Sequence, residues 1–247
     1  MIRFATKLAP SNESLERAWN AGFRNTEFWL NEASLVDVEP AIQAAMARGM
    51  KVVPHFPNRG DLSEAHLANT VHLYRRLDCK ALVIHEPMAA RFERKLRELH
   101  PEIRIAVENG RQRGEAFERW AAAHQWLTLD IEHVWKFTLG DTNFDSLIAF
   151  VRKFLKAHAS KVIHVHLPGY VLGSPEHRPS YFNAGLARAI WSLLEEHEFD
   201  GFVVSEAELE FQTDPHLRRD TVLFDRWRSE QNRSSNQAAL SFRKTPT

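Results

Sequence analysis

Short apolar runs alternate with longer segments whose apolar positions are three and four residues apart, from the start of the chain to near its end. The short runs are rich in β-branched and aromatic residues and predict strands, whereas the longer segments predict amphipathic helices. The predicted strands are residues 2–7, 26–30, 51–55, 81–85, 104–107, 127–130, 161–166 and 201–206. The predicted helices are residues 12–20, 35–48, 63–77, 89–99, 115–124, 144–157, 184–197 and 215–229.

Helix-end signals support this division. Ser11 or Asn12 and Ser63 stand where N-caps are needed, and Gly22 and Gly49 follow predicted helix ends. Eight strand–helix units in strict alternation predict a parallel sheet closed into an α/β (β/α)8 TIM barrel, as a single domain over residues 1–230. An open doubly wound sheet is the alternative, but no glycine-rich phosphate-binding turn follows the first strand. The polar, aperiodic residues 231–247 predict a disordered or loosely docked extension.

Composition narrows the class of protein. The chain has 247 residues, 44% of them hydrophobic, which is enough for one large core. It contains no apolar run long enough to span a membrane, and its first residues lack the hydrophobic stretch of a signal peptide. Cys79 is the single cysteine, so we expect no disulfide framework and a cytoplasmic location. A formal net charge of zero gives no overall attraction to nucleic acid, so we do not expect a nucleic-acid partner, although a local basic patch is still compatible with this composition.

Six consecutive predicted strands, from the third to the eighth, end in a residue that can bind a metal. In chain order they are His55, His85, Glu108, Asp130, His166 and Glu206. In a barrel these strand ends meet at one mouth, and the residues two positions earlier form the layer beneath. That lower layer is Val53, Val83, Ala106, Thr128, His164 and Val204. Three carboxylates at one mouth would repel each other, and a divalent cation such as Mn²⁺, Zn²⁺, Co²⁺ or Mg²⁺ would remove that repulsion.

Each of these residues has an ordinary explanation when taken alone. A single histidine is often a hydrogen-bonded core residue, Asp130 could cap a helix, and Glu206 could face solvent. Six such residues at the same level of six neighbouring strands are not explained in that way. Further candidates lie near the mouth. Glu27 on strand 2 could contact a metal ligand or the substrate, and His133, together with His177 and Arg178 in the loop after strand 7, could contact the substrate or a further metal.

Six stretches of the chain together resemble the xylose isomerase-like TIM-barrel superfamily, which contains sugar and sugar phosphate isomerases, epimerases and the endonuclease IV family. The stretches are VVPHFP at 52–57, LVIHEP at 82–87, IAVENG at 105–110, LTLDIEH at 127–133, HVHLPG at 164–169 and VVSEAE at 203–208. They cover nearly the whole predicted barrel, and their order and spacing carry the resemblance.

The resemblance implies a central metal ion held by four residues, namely Glu108, Asp130, His166 and Glu206. The endonuclease-like variant implies a second metal at His55 and His85, with Glu108 bridging, and a third at His133 and His177. The sequence departs from the pattern at Gly169, where the strand-7 motif has an acid, and at Pro175, where the endonuclease pattern has an aspartate.

These features predict a divalent-metal-dependent isomerase or epimerase of a sugar or sugar phosphate, acting by proton transfer next to a carbonyl. In the similar epimerases the residues matching Glu108 and Glu206 move the proton, and we expect His133 and Arg178 to hold substrate oxygens, Arg178 a phosphate. The alternatives are a zinc-dependent phosphodiesterase acting on abasic DNA and a barrel without enzymatic activity. The sequence leaves homo-oligomerisation open.

Overall fold

Eight parallel strands form a closed barrel in sequential order, β1 to β8, in the computed structural model, which describes residues 1–175 and 177–242. The strands are β1 Arg3–Leu8, β2 Asn25–Trp29, β3 Lys51–His55, β4 Leu82–His85, β5 Ile105–Glu108, β6 Trp126–Asp130, β7 Val162–His166 and β8 Phe202–Ser205. The predicted fold class is therefore confirmed. Within the described part of the chain, no helix is both long and apolar enough to cross a membrane.

Helices follow the strands around the outside of the barrel. They are α1 Asn12–Asn20, α2 Glu39–Arg48, α3 Glu64–Arg76, α4 Glu86–Leu99, α5 Glu115–Ala123, α6 Ile131–His133, α7 Phe144–His158, α8 Ala184–Glu196 and α9 Asp214–Phe242. Predicted N-cap and C-cap residues lie at the ends of these helices. The side chain of Ser11 accepts a hydrogen bond from Ser14 N, Ser63 forms a reciprocal cap with His66, and Gly49 ends α2 with φ of 62°.

Three differences from the prediction are local. Residues 33–35 form a separate 3-10 turn, so α2 begins at Glu39. The one-turn helix α6 and the π-helical turn Val134–Thr138 that continues it were not predicted, because a segment so short shows no periodicity. Helix α9 does not end at 229, and residues 231–242 continue it. Residues 243–247 lie outside the described residues, and a boundary at residue 230 stays a prediction.

Two hydrophobic clusters lie on the two faces of the sheet. The larger one fills the space between strands and helices, and its outward strand residues include Ile84, Val107 and Val165. The smaller one lies inside the barrel and consists of Ala5, Val53, Ala81, Val83, Ala106, Phe202 and Val204. Four residues of the predicted lower layer belong to this interior cluster. The other two, Thr128 and His164, are also fully buried.

Strand register brings the next inward residues to one level at the carboxyl end of the barrel. Lys7 pairs with Glu27, and His85 pairs with Glu108. Asp130 pairs with His166 in the same way. Strand β8 ends at Ser205, one residue earlier than predicted, and Glu206 follows it directly.

Candidate metal centre and active site

Seven of the eight strands contribute one ionisable side chain to the mouth of the barrel, and the residue that follows β8 contributes the eighth. In strand order these are Lys7, Glu27, His55, His85, Glu108, Asp130, His166 and Glu206. Most are buried, and the most exposed side chain of this ionisable ring is His85, at 32%. The alternation of side chains along a strand explains the arrangement, because each residue lies two positions beyond an interior residue such as Val83 or Ala106.

The imidazole of His166 lies at the centre of three carboxylates. Its Nδ1 is 3.1 Å from Glu206 Oε2, 3.5 Å from Glu108 Oε1 and 3.6 Å from Asp130 Oδ2. Among the described residues, Nδ1 and the facing oxygens of Asp130 and Glu206 are buried and have no hydrogen-bond partner. Buried polar atoms are normally paired, so three unpaired ones facing each other fit a bound cation. These are the four residues that the resemblance implies as metal ligands.

Glu27 lies beneath this centre and fixes the orientation of His166. Its Oε2 is 2.9 Å from His166 Nε2 and 2.6 Å from His164 Nε2, and all three side chains are fully buried. An N–H donated to a carboxylate on one side of the ring leaves the other nitrogen available to a metal. Glu27 therefore supports His166 as a ligand through Nδ1. The sequence predicted Glu27 as a contact of either a metal ligand or the substrate, and the structure places it against the ligand candidate His166.

Asp130 uses its two oxygens differently. Oδ1 caps α6 by accepting a hydrogen bond from His133 N at 2.8 Å, whereas Oδ2 faces the metal centre. Asn109 joins the ends of β5 and β6, because its Oδ1 accepts from Asp130 N at 2.7 Å and its Nδ2 donates to Asp130 O at 3.1 Å. Asp130 thus caps a helix with one oxygen and faces the metal centre with the other, and Asn109 holds its main chain in place.

Lys7 is a buried member of the ring that sequence reasoning missed. Its Nζ donates to Glu206 Oε1 at 2.6 Å and lies 3.3 Å from Glu27 Oε1. The ammonium thus holds Glu206 with Oε2 turned toward His166. The signal was present in the sequence, since Lys7 lies two positions after Ala5 on the inward face of the first strand. Lys7 ends the inward face of strand 1 in the same way as the candidate ligands end the inward faces of strands 3 to 8.

A second group of ligating atoms adjoins the first. His55 Nε2 is 3.1 Å and His85 Nε2 is 3.2 Å from Glu108 Oε2. His55 Nδ1 lies 3.0 Å from Phe56 O, so this nitrogen carries a proton, and in the neutral ring Nε2 is then available to a cation shared with Glu108. The residues named for a second metal thus lie together, with Glu108 shared between both groups.

The residues named for a third metal do not form a close group of ligating atoms with a third described residue. The rings of His133 and His177 are 6.5 Å apart, and neither belongs to any close group of three ligating residues within the part of the chain that the structure describes. His133 Nδ1 donates to Asn109 O at 2.8 Å, and His177 Nε2 lies 3.8 Å from Glu206 Oε1. The Arg178 guanidinium stacks over Phe182 at 5.4 Å, outside the substrate-sized cavity described below.

Charges around the centre determine which groups are ionised. Burial would raise the pKa of Glu108, but the facing His166 and His85 imidazoles hold that pKa well below its usual range. Burial would also raise the pKa of Glu206, but the charges of Lys7 and His166 hold that pKa well below its usual range. Burial would lower the pKa of His166, but the carboxylates of Glu27 and Glu108 raise it well above its ordinary value. The mouth therefore favours ionised carboxylates with a positive charge between them.

A cavity of about 240 Å³ opens beside Glu206 at the mouth. It is lined by Lys7, Leu8, Ala9, Trp29, Asn58, His177, Glu206, Ala207, Glu208, Leu209 and Gln212. Trp29 is 42% exposed, so part of its ring is free to contact a ligand. The cavity has room for one small molecule, although its volume is somewhat below the usual range for ligand pockets.

The fold and this ligand-lined mouth define a parallel (β/α)8 barrel with a candidate metal centre at the carboxyl ends of its strands. No protein-family profile and no curated protein sequence matches the chain. Several solved structures match it over nearly their whole length.

One is a D-tagatose 3-epimerase-like protein, with a TM-score of 0.63 and 15% identity over 94% of this chain and 99% of that chain. Another is an L-ribulose 3-epimerase, with a TM-score of 0.63 and 14% identity over the full length of both chains. A third is the D-allulose 3-epimerase from Methylomonas sp. in complex with D-allulose, with a TM-score of 0.58 and 12% identity over 90% of each chain. The resemblance to xylose isomerase-like barrels is thereby confirmed at the level of the fold.

Proposed function

We propose that this chain is a divalent-metal-dependent isomerase or epimerase of a sugar. The observation that carries the proposal is the group of three unpaired buried atoms, Asp130 Oδ2, His166 Nδ1 and Glu206 Oε2, which face one another at the mouth of the barrel. The likeness of the fold to two sugar 3-epimerases and to a D-tagatose 3-epimerase-like protein supports the reaction class. The cavity beside Glu206 supports a small substrate.

Four residues would hold the cation, namely Glu108, Asp130, His166 and Glu206. Their donor set of three carboxylates and one imidazole suits Mn²⁺, Co²⁺, Zn²⁺ or Mg²⁺. When bound, the cation supplies a Lewis acid for the carbonyl and hydroxyl oxygens of the sugar. Glu27 would keep the Nε2 proton of His166 on the far side of the ring, and Lys7 would keep Glu206 turned toward the centre.

Glu108 and Glu206 would carry the proton. They reach the centre from β5 and from the end of β8, and both approach the same nitrogen of His166. One carboxylate would remove the proton from the carbon next to the carbonyl, and the other would return a proton to that carbon or its neighbour. Both pKa values lie well below the usual range, so the group that removes the proton is ionised at neutral pH. The group that returns a proton would first take one up from the substrate or from solvent.

Other residues near the mouth would hold the substrate. The exposed ring of Trp29 offers an apolar face to the C–H groups of a sugar, and Asn58 and Gln212 offer amide groups to its hydroxyls. His133 uses Nδ1 on Asn109 O, which leaves Nε2 for a substrate oxygen.

The charges of the cavity favour an uncharged sugar over a sugar phosphate. Glu206 and Glu208 line it, and the ammonium of Lys7 is already engaged by Glu206 and Glu27. Arg178, the residue expected to hold a phosphate, stacks on Phe182 outside the lining. A phosphate in the cavity would therefore lie next to carboxylates, and neither Lys7 nor Arg178 is placed to neutralise it.

The direct test is proton exchange. The protein, loaded with Mn²⁺ and incubated with D-tagatose, D-allulose or L-ribulose in D₂O, should place deuterium on the carbon next to the carbonyl of at least one sugar. Nuclear magnetic resonance of the recovered sugar measures the exchange and any new epimer. Absence of exchange across a broad panel of ketoses and aldoses would contradict the proposal.

The group formed by His55, His85 and Glu108 favours one alternative, a phosphodiesterase that uses a second metal. That enzyme would nick DNA holding an abasic site and would exchange no sugar proton. Nicking that is lost in a His85→Ala variant would overturn the isomerase proposal, because His85 has no proton-transfer role in it.

A further inference from the structure

Glu132 is a buried carboxylate that the proposed proton transfer does not use. It lies in α6, two residues after Asp130, and is 1% exposed. Its Oε2 accepts a hydrogen bond from the main-chain N of His177 at 3.1 Å, across 45 residues of sequence. Its Oε1 is buried without a hydrogen-bond partner among the described residues. An acidic side chain is costly to bury, so its place two residues after Asp130 needs an explanation.

The main chain of His177 needs such a contact. Its φ is 59°, in the left-handed region that side chains other than glycine rarely adopt. Two hydrogen bonds hold it there, because the N–H donates to Glu132 and the carbonyl accepts from Glu208 N at 2.8 Å. The strained conformation is thus imposed by residues that follow β6 and β8, not by the local sequence.

The segment that follows His177 is also held by a residue in the loop just after β7. The carbonyl of Arg178 accepts a hydrogen bond from Gly169 N at 2.7 Å. A Cβ atom added at Gly169 would lie 2.0 Å from Pro179 O, so only glycine allows this close approach. The departure of residue 169 from the acid of the related pattern therefore has a structural cause. The loop is fastened at three points around His177.

The two hydrogen bonds that Glu132 and Glu208 make with the main chain of His177, here called the clamp, place the His177 imidazole over the cavity. Nε2 lies 3.8 Å from Glu206 Oε1, and Nδ1 lies 3.4 Å from Glu208 Oε1. His177 is one of the residues that line the cavity, and its side chain is 26% exposed. A ligand in the cavity would therefore meet this ring next to the carboxylate of Glu206.

We propose that Glu132 is a positioning residue that holds His177 over the cavity through the main-chain hydrogen bond, so that the imidazole contacts the bound sugar. The identity of the ligand rests on the proposed function, whereas the clamp itself does not. Removing the acceptor frees the main chain of His177 to leave the left-handed conformation, and the ring then leaves the cavity.

The first experiment measures the clamp without any substrate. Protein labelled with ¹⁵N-histidine gives a signal for each of the 13 histidines, and the signal missing from His177→Ala identifies His177. In Glu132→Met, which keeps the length of the side chain but lacks an acceptor, the His177 amide should exchange with solvent at least about 10-fold faster. Glu132→Gln keeps an acceptor oxygen and should retain protection. Glu210→Met, at an exposed acid, is the matched control.

The second experiment measures the consequence for the sugar. Glu132→Met should lower kcat/KM by about 10-fold, mainly through KM, and Glu132→Gln should restore most of it. Glu132→Met combined with His177→Ala should be no worse than His177→Ala alone, since both changes remove the same contact. Manganese content should stay that of the parent, because neither residue is a proposed ligand.

Two results would overturn the proposal, namely a His177 amide that stays protected in Glu132→Met, or activity losses that multiply in the double variant. Glu132→Ala replaces Glu132→Met if the latter does not fold. If no sugar is turned over by the parent, the proposed function fails, and amide exchange alone then decides whether the clamp exists.

Discussion

Two layers of inward-facing side chains, two residues apart on the same strands, have opposite chemistry. The lower layer is largely apolar and includes Ala5, Val53, Val83, Ala106 and Val204. The upper layer is the ionisable ring of Lys7, Glu27, His55, His85, Glu108, Asp130, His166 and Glu206. Both layers are built by the same alternation along the strands, so the backbone does not explain the difference between them.

The lower layer stabilises the barrel, since it removes apolar area from water and fills the interior. The upper layer brings four carboxylates and three histidines to a place with little solvent, which opposes stability unless a cation is shared among them. Closing a barrel requires only the first kind of layer. The second kind is explained by binding and chemistry, and the two layers should therefore respond differently to substitution.

The largest expected effect is on proton exchange. Glu206→Gln keeps the size of the side chain and one oxygen that can bind the metal, but it cannot accept a proton at neutral pH. Exchange of sugar protons in D₂O should fall by about 10²–10⁴-fold, the usual contribution of a general base. Metal content should change much less. The exposed Glu210 provides the control, and Glu210→Gln should exchange as the parent does.

The next effect is on metal affinity. Glu27→Gln removes the charge that receives the N–H of His166, and the affinity for Mn²⁺ should fall by about 10–100-fold. Isothermal titration calorimetry measures it, with Glu118→Gln on the exposed face of α5 as control. Equal affinities in the two variants would mean that Glu27 does not support the metal ligand His166.

A change in the lower layer should have the opposite profile. Val83 is fully buried, and Val83→Ala removes two methyl groups from the interior cluster. The free energy of unfolding in urea should fall by about 2 kcal/mol, while the affinity for Mn²⁺ stays within about threefold of the parent. A variant that loses metal binding without losing stability would show that the two layers are not separate in function.

The smallest effect concerns a buried acid outside the ring. Asp220 on α9 accepts hydrogen bonds from the Ser205 hydroxyl and from Tyr181 N, and burial outweighs these bonds and raises its pKa to about 7. Its pKa is higher in the folded than in the unfolded chain, so its contribution to stability is lost as the pH rises toward and through about 7.

This contribution should weaken by about 1.4 kcal/mol between pH 6 and pH 8. In Asp220→Asn the group cannot titrate. Urea unfolding at the two pH values should therefore show the parent losing that much more stability than the variant. A difference between parent and variant that is independent of pH would contradict the raised pKa.

Much of this molecule could be predicted from its sequence because a barrel of alternating units obeys two simple periodicities. The period of two along each strand placed Val53, Val83 and Ala106 inside and Glu108 above them. Capping residues such as Ser63 fixed helix starts.

Other features depend on contacts between distant residues. The bond from Glu132 to His177 N, the pairing of Lys7 with Glu206 and the stacking of Arg178 on Phe182 join segments that no local pattern connects. The turn after β6 is too short for periodicity to indicate, and the loop after β7 is shaped by the close approach at Gly169.

The central claim is that the upper layer binds one divalent cation through Glu108, Asp130, His166 and Glu206. The most direct test is equilibrium dialysis of chelator-treated protein against Mn²⁺, followed by determination of the metal-to-chain ratio for the parent and for Asp130→Asn. The account predicts one ion per parent chain and binding weakened by at least about 10-fold in the variant, which stays folded since it loses a repelling charge. A parent that binds no metal, or an Asp130→Asn variant that binds it as tightly as the parent, would contradict the account.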